Sequence, residues 1–254
     1  MTAKEIYLRT LAICWIKLGL GLLNITIDIA LLAILTGIST LFDGENVEVA
    51  TLLAWLALVG IVNYALNHYI GYLLKAGHVA VISRAFKNDR IPDRPVTVGR
   101  EMVKDRFGTS NIYFTLDKQI AGSMRQLRRR QCGIAGYLPN ILPVRECCLG
   151  YIFLRNDQDP YKSAADSVRI YARNRKTLHK DTVKATFVAV LSLIIMTLVA
   201  FVFFSELFRQ DDLVAFVISA LLAWSVKYAF IDSWTLVKMM CGYMRVVPTT
   251  MSTT

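Results

Sequence analysis

The chain has 254 residues, 55% of them hydrophobic, and a formal net charge of +10. Its mean hydropathy is positive and its apolar residues gather in runs of twenty or more, which excludes an ordinary soluble domain. The basic excess has no zinc-finger, RNP-like or basic-zipper pattern beside it, so nucleic acid is not an expected partner.

The first apolar run covers about residues 11–42. It is too long for the ~7–15-residue core of a secretory signal, and it is expected to be a first transmembrane helix. Arg9 and Lys17 are placed in the interface before the helix turns inward, and Gly19, Gly21, Asn24, Asp28 and Gly37 follow. The second run, about 50–74, contains Asn63, Asn67 and His68, and its helical pattern continues to about Phe86. Asp89, Pro92, Asp93 and Pro95 then break it. Two further runs cover about 183–205 and 213–237. Each run reaches the ~20 residues that a ~30 Å hydrocarbon slab requires at ~1.5 Å per residue.

Between the second and third runs lies a predicted amphipathic region, about residues 87–182. Tyr113, Leu116, Ile120, Met124 and Leu127 recur at helical spacing, predicting one helix over 98–130. Asp117 and Lys118 at its centre make a crossing costly, by about 2.5–3.5 kcal/mol per charge. Residues 133–154 are apolar but broken by Pro139, Pro143 and the Arg145–Glu146 pair, which suits a short helix dipping into the interface or packing between spans. Asp159–Pro160 reads as a helix start. Tyr161, Ala164, Ala165, Val168, Tyr171 and Ala172 are expected to form that helix's buried stripe before it runs into the third span.

Charge sorts by segment. Asp43, Glu45 and Glu48 occupy the first connection, and Glu206, Asp211 and Asp212 face a single Arg209 in the last. Residues 75–130 hold thirteen Lys/Arg against five Asp/Glu, and 155–184 hold eight against four. Basic connections stay cytoplasmic, so both termini and the middle third are expected inside, in a bacterial cytoplasmic membrane. The predicted fold class is all-α. It is a single polytopic membrane bundle, residues 1–254, of four transmembrane helices plus cytoplasmic amphipathic and interfacial helices. The five cysteines (Cys14, Cys132, Cys147, Cys148 and Cys241) are expected to be reduced packing residues.

The stretch SRAFKNDRIPDRPVTVGREMVKDRFGTSNIYFTLDKQIAGSMRQL is similar to a segment of bacterial and archaeal membrane proteins that include the membrane regions fused to some glycerophosphodiester phosphodiesterases. Pro143, Glu146, Ala165, Ser167 and Arg173–Asn174 match a Pro…Glu…Ala…Ser…Arg pattern of the same group. The segments FGTSNIYFTLDKQIAGSMRQLRR and NRKTLHKDTVKATFVAVLSLIIMTLVAFVFF also resemble the C-terminal half of choline transporter-like proteins. The likeness covers about 60–205 and departs at Asp117–Lys118 and at the prolines, where the related helices are apolar enough to cross. It implies no catalytic residue, and at most a cationic or zwitterionic lipid-derived ligand.

Candidate site residues follow from depth. Asp28 lies fourteen residues inward from Phe42 and Lys227 fifteen from Asp212, or roughly 21–23 Å at ~1.5 Å per residue. Asn24, Asn63 and Asn67 complete an intramembrane polar layer. Ionisable residues at such depth mark a substrate or ion site, or else a structural salt bridge, here between Asp28 and Lys227. Lys75, Arg84, Arg125, Arg128, Arg129 and Arg130 are candidate contacts to anionic lipid headgroups. No helical metal spacing, phosphate loop, G-x-S-x-G or HExxH is present, so no metal, cofactor or common hydrolase chemistry is expected. The expected function is a non-enzymatic subunit or lipid-interacting scaffold, with membrane lipids and a homo-oligomer or larger membrane complex as partners. An oligomeric transporter or channel and a lipid-modifying enzyme remain the alternatives.

Overall fold

The computed structural model describes residues 1–42, 44, 46–88, 90–129, 144–207 and 212–251. Among the described residues there are helices and no strand. Four of these described helices are long and apolar enough to cross a membrane: Leu11–Ser39, Val47–Asn88, Val183–Glu206 and Ala215–Val247.

Local chemistry sets the helix boundaries. In α1 (Ala3–Arg9), the Thr2 hydroxyl accepts the Glu5 N–H at 3.3 Å, satisfying one of the first turn's orphan donors. Helix α2 spans Leu11–Ser39. Helix α3 (Val47–Leu66) passes through a π turn at Asn67–Gly71 into α4 (Tyr72–Asn88), ending two residues beyond the expected Phe86. Pro95 opens α5 (Pro95–Phe107), where its missing N–H has no intrahelical bond to lose.

The single helix expected over 98–130 is two. Gly108 has φ of 65° and closes α5, and α6 (Ser110–Arg129) starts afresh. A left-handed residue after a helix costs glycine nothing and stops the α-helical ladder. Helix α7 covers Val144–Leu154 and α8 covers Pro160–Arg173. The Asp159 carboxylate caps α8, accepting from the N–H groups of Tyr161 at 2.9 Å and Lys162 at 3.2 Å. Helices α9 (Arg175–Leu207), α10 (Asp212–Val226) and α11 (Asp232–Met251) complete the chain, with a second π turn, Lys227–Ile231, joining the last two.

The buried face of α8 is rotated from the expected stripe. Ser163, Ala164, Ser167, Ile170 and Tyr171 are buried, whereas Tyr161 and Ala165 are exposed. The two serines tolerate burial because each hydroxyl donates to a carbonyl of its own helix, Ser163 to Asp159 at 3.1 Å and Ser167 to Ala164 at 2.6 Å. Their small size also admits a neighbour, and the Tyr243 hydroxyl donates to the Ser167 carbonyl at 3.0 Å.

Burial divides the molecule in two. Helices α1, α4 to α8 and α11 share one apolar core, which we term the base. Its innermost element is α7, packed on α4, α6, α8 and α11, with Cys147, Cys148, Leu149, Ile152 and Phe153 buried. Residues 144–154 thus pack between the continuations of the second and fourth long helices, while 133–143 lie outside the described residues. Arg106 closes the C-terminal end of α7. Its Nε donates to the Ile152 carbonyl at 3.1 Å, and its Nη2 to those of Arg155 and Gln158 at 2.8 and 2.7 Å, where unpaired helical carbonyls favour a cation. Where α4 crosses α5, two glycines meet backbone to backbone. A Cβ on Gly99 would lie 2.7 Å from the Gly77 carbonyl oxygen.

Away from the base, the most apolar stretches of the first two long helices contain no buried residue. Helix α3 packs chiefly on α2, and α9 on α10. The two hairpins meet where α2 touches α10 and the Lys227–Ile231 turn. Both π turns fall where a lipophilic helix enters the base, consistent with the tendency of such bulges to sit at functional positions.

Candidate functional site

Helix α2 carries the polar stripe that organises both candidate centres. Lys17, Gly21, Asn24 and Asp28 follow one another at steps of four, three and four, so they share one helical face. Gly21 lets that face close on α10, because a Cβ there would meet Ser225 Oγ at 3.0 Å.

The outer centre is a cleft of about 340 Å³ between α2, α3 and α10, with Asn24, Asp28, Asn63, Trp224, Ser225 and Tyr228 among its walls. The Asn24 amide donates to Asn63 Oδ1. Asn63 Nδ2 donates to the Val59 carbonyl at 3.0 Å, and Asn63 also hydrogen-bonds the Asp28 side chain. Trp55 Nε1 is spent on the Asp28 backbone carbonyl at 2.9 Å. Among the described residues Asp28 Oδ1 and Asn24 Oδ1 have no hydrogen-bond partner, and both atoms are buried. Asn24, Asp28 and Asn63, expected at one depth, line the same cleft. Lys227 corrects the expectation of an Asp28 pair. Its ammonium bonds Asp232 at 2.9 Å and lies 5.3 Å from the Trp224 ring centroid. The π turn is the reason, since it brings positions i and i+5 onto one side. The Asn67 side chain lies outside the described residues.

The inner centre was not singled out by sequence. Lys17, expected at the interface, is buried at the junction of α2, α4 and α11. Its Nζ lies 3.0 Å from His78 Nδ1 and 3.0 Å from Ser233 Oγ, both equally buried. His78 Nε2 lies 3.2 Å from Thr10 Oγ1, which donates to the Ile6 carbonyl at 2.9 Å. One donor assignment satisfies the whole chain: Lys17 donates to Nδ1 and to Ser233, so the imidazole is neutral and its Nε2–H donates to Thr10. Among the described residues no carboxylate lies within ion-pair distance of Lys17, whose buried ammonium is held by these neutral dipoles and lies 5.8 Å from the Tyr228 ring centroid. The signal was present in the sequence. Lys17 and His78 each interrupt an apolar run, and a polar group there needs a partner.

Two ion pairs tie α7 to the helices around it. Glu146 meets Lys75 of α4 at 2.5 Å, and Arg145 meets Asp117 of α6 at 3.0 Å. Burial raises the Glu146 carboxyl, but the Lys75 ammonium and its hydrogen bond outweigh that and hold it below its ordinary value. For Asp117 burial wins over Arg145, and its carboxyl sits above the usual range. Lys75 is therefore committed to Glu146 instead of standing free for a lipid headgroup. Arg84 and Arg125 are exposed, and the side chains of Arg128 and Arg129, with all of Arg130, lie outside the described residues.

The four described cysteines, Cys14, Cys147, Cys148 and Cys241, are free and buried. Burial pushes the Cys148 thiol up to about 12 and Cys147 well above the ordinary value, which leaves them protonated and unreactive at neutral pH. His68 stacks on Phe114, with ring centroids 4.6 Å apart. Among the described residues no group of three or more His, Cys, Asp or Glu side chains is placed to hold a metal ion.

No family model matches the sequence, and no curated protein or solved structure is significantly similar to it. The class that the described residues support is an all-α protein, with four helices among them long and apolar enough to cross a membrane.

Proposed function

We propose that the chain is an integral membrane protein acting without catalysis, as a subunit or lipid-interacting scaffold. Its four long helices span the bilayer and its base faces the cytoplasm. The observation that carries this reading is the division of burial. The base closes on its own core, whereas the spans leave their apolar surface uncovered, with Leu52, Leu53 and Leu56 on α3 and Leu198, Val199 and Val202 on α9 each more than half exposed. Helices so exposed in an apolar stretch are covered by acyl chains or by partner helices. The base carries most of the basic excess, which favours the cytoplasmic side and an anionic leaflet, and exposed Arg84 and Arg125 are available to headgroups.

Single-particle imaging in lipid nanodiscs tests it. The scaffold reading expects a monomer, or an assembly joined through dry apolar faces. A closed ring around a polar pore lined by Asn24, Asp28 or Asn63 overturns it in favour of an oligomeric channel or transporter, which the polar cleft between the hairpins favours as the second reading. Cysteines introduced at Glu48 and Lys104 test orientation. Labelling of Glu48→Cys from the cytoplasmic side alone reverses the proposed topology.

A further inference from the structure

We infer that the cleft between α2, α3 and α10 binds a protonated primary or secondary amine carried on an apolar body. The inference is independent of the scaffold reading, because a subunit and a transporter alike can hold such a ligand.

The argument starts from two acceptors that the protein leaves unsatisfied. Asp28 Oδ1 and Asn24 Oδ1 are buried on one face of α2, and neither has a donor among the described residues. The amide and indole donors of Asn24, Asn63 and Trp55 are spent. The Asn24 amide goes to Asn63, the Asn63 amide to the Val59 carbonyl and to the Asp28 side chain, and the Trp55 indole to a backbone carbonyl. The two neighbouring ammonium groups are spent too, since Lys227 is held by Asp232 and Lys17 by His78 and Ser233. A carboxylate at the middle of a long apolar helix is costly without a cation, and the hydrogen bond from Asn63 brings no positive charge.

The geometry selects the ligand's head. One carboxylate calls for one positive charge. Two open acceptors call for at least two N–H groups on the same centre, which a primary or secondary ammonium has and a quaternary ammonium lacks. A divalent metal would require more carboxylates and more oxygen ligands than surround Asp28. The cleft also selects the body. Its volume of about 340 Å³ greatly exceeds a bare ion, and Leu20, Ile25, Leu66 and Leu221 supply apolar walls. That combination of an apolar pocket and a few convergent polar groups is typical of small-molecule sites.

The test uses the full chain in detergent micelles and native mass spectrometry, with three probes: dodecylamine, dodecyltrimethylammonium and butylamine. Expected is a one-to-one adduct with dodecylamine, weakened at least about tenfold with the trimethylated analogue. Butylamine discriminates the source of the amine. Comparable binding of butylamine assigns the site to a soluble amine, and its loss assigns it to a membrane-dissolved one. Asp28→Asn keeps the side-chain shape and should abolish the dodecylamine adduct. Leu66→Phe, which fills the cleft and leaves every polar group in place, should abolish it as well and serves should Asp28→Asn fail to fold. Equal adducts with the two dodecyl probes, an adduct that survives Leu66→Phe, or no adduct with either amine overturns the inference.

Discussion

Substituting alanine for Gly99 should destabilise the base, and the same substitution at Gly122 should do the reverse. Both are helical glycines, in α5 and α6, so both gain helix propensity worth about 0.8–1 kcal/mol. At Gly122 the new methyl meets nothing within 4 Å, and the full gain should appear. At Gly99 it meets the Gly77 carbonyl oxygen at 2.7 Å, the carbonyl carbon at 3.0 Å and Cα at 3.1 Å. All three are backbone atoms, so no rotamer change relieves the contact and α4 must move away from α5. Overpacking of that kind costs about 1–3 kcal/mol and commonly exceeds the propensity gain. The helices it separates carry Ala76, Val79, Ala80 and Val103 of the core, so the upper half of that range is expected. The net is about 1–2 kcal/mol of destabilisation, or a melting point lowered by about 2–8 °C, against a rise of about 2–4 °C for Gly122→Ala. The buried free thiols Cys147 and Cys148 provide the assay, because a maleimide dye reaches them only when the base opens. Equal shifts for the two variants, in either direction, would refute the close α4–α5 crossing.

Glu146→Gln removes the charge partner of Lys75, which is itself about one-third exposed. Solvent reduces the usual 3–5 kcal/mol for a broken buried pair to about 2–3 kcal/mol, read as a lower melting point at pH 7. The Glu146 carboxyl is held below its unfolded value, so its contribution is fully present above the unfolded pKa of about 4.3 and disappears as pH falls through the folded one. Thermal melts should therefore separate wild type from Glu146→Gln at pH 7 and converge in acid, and a gap that persists in acid would contradict this. Lys17→Met should cost about 1–3 kcal/mol by leaving His78 Nδ1 and Ser233 without their donor, and adding His78→Leu should recover part of it; strict additivity in that cycle would show that the two side chains do not interact. Arg106→Lys keeps the charge but loses the guanidinium fork on three carbonyls, so hydrogen exchange at residues 152–158 should accelerate while the distant α9 is unchanged.

The sequence determined what depends on local order along the chain. Apolar runs long enough to cross a bilayer are continuous in one dimension, so the four long helices were legible, although α4 ends two residues past the expected Phe86 and the fourth long helix continues ten residues past 237, to Val247, into the base. Position along a helix is residue count times rise, and Asn24, Asp28 and Asn63, expected at one level, line one cleft. Direction around a helix was not legible. The π turn at Lys227–Ile231 carried Lys227 to Asp232, and α8 turned its serines inward because their hydroxyls are satisfied within their own helix. Tertiary structure alone joined Lys17 to His78, 61 positions on, and to Ser233, 216 positions on. A single sequence records that each of these groups stands in apolar surroundings, but the partner that satisfies it is chosen by how the helices pack.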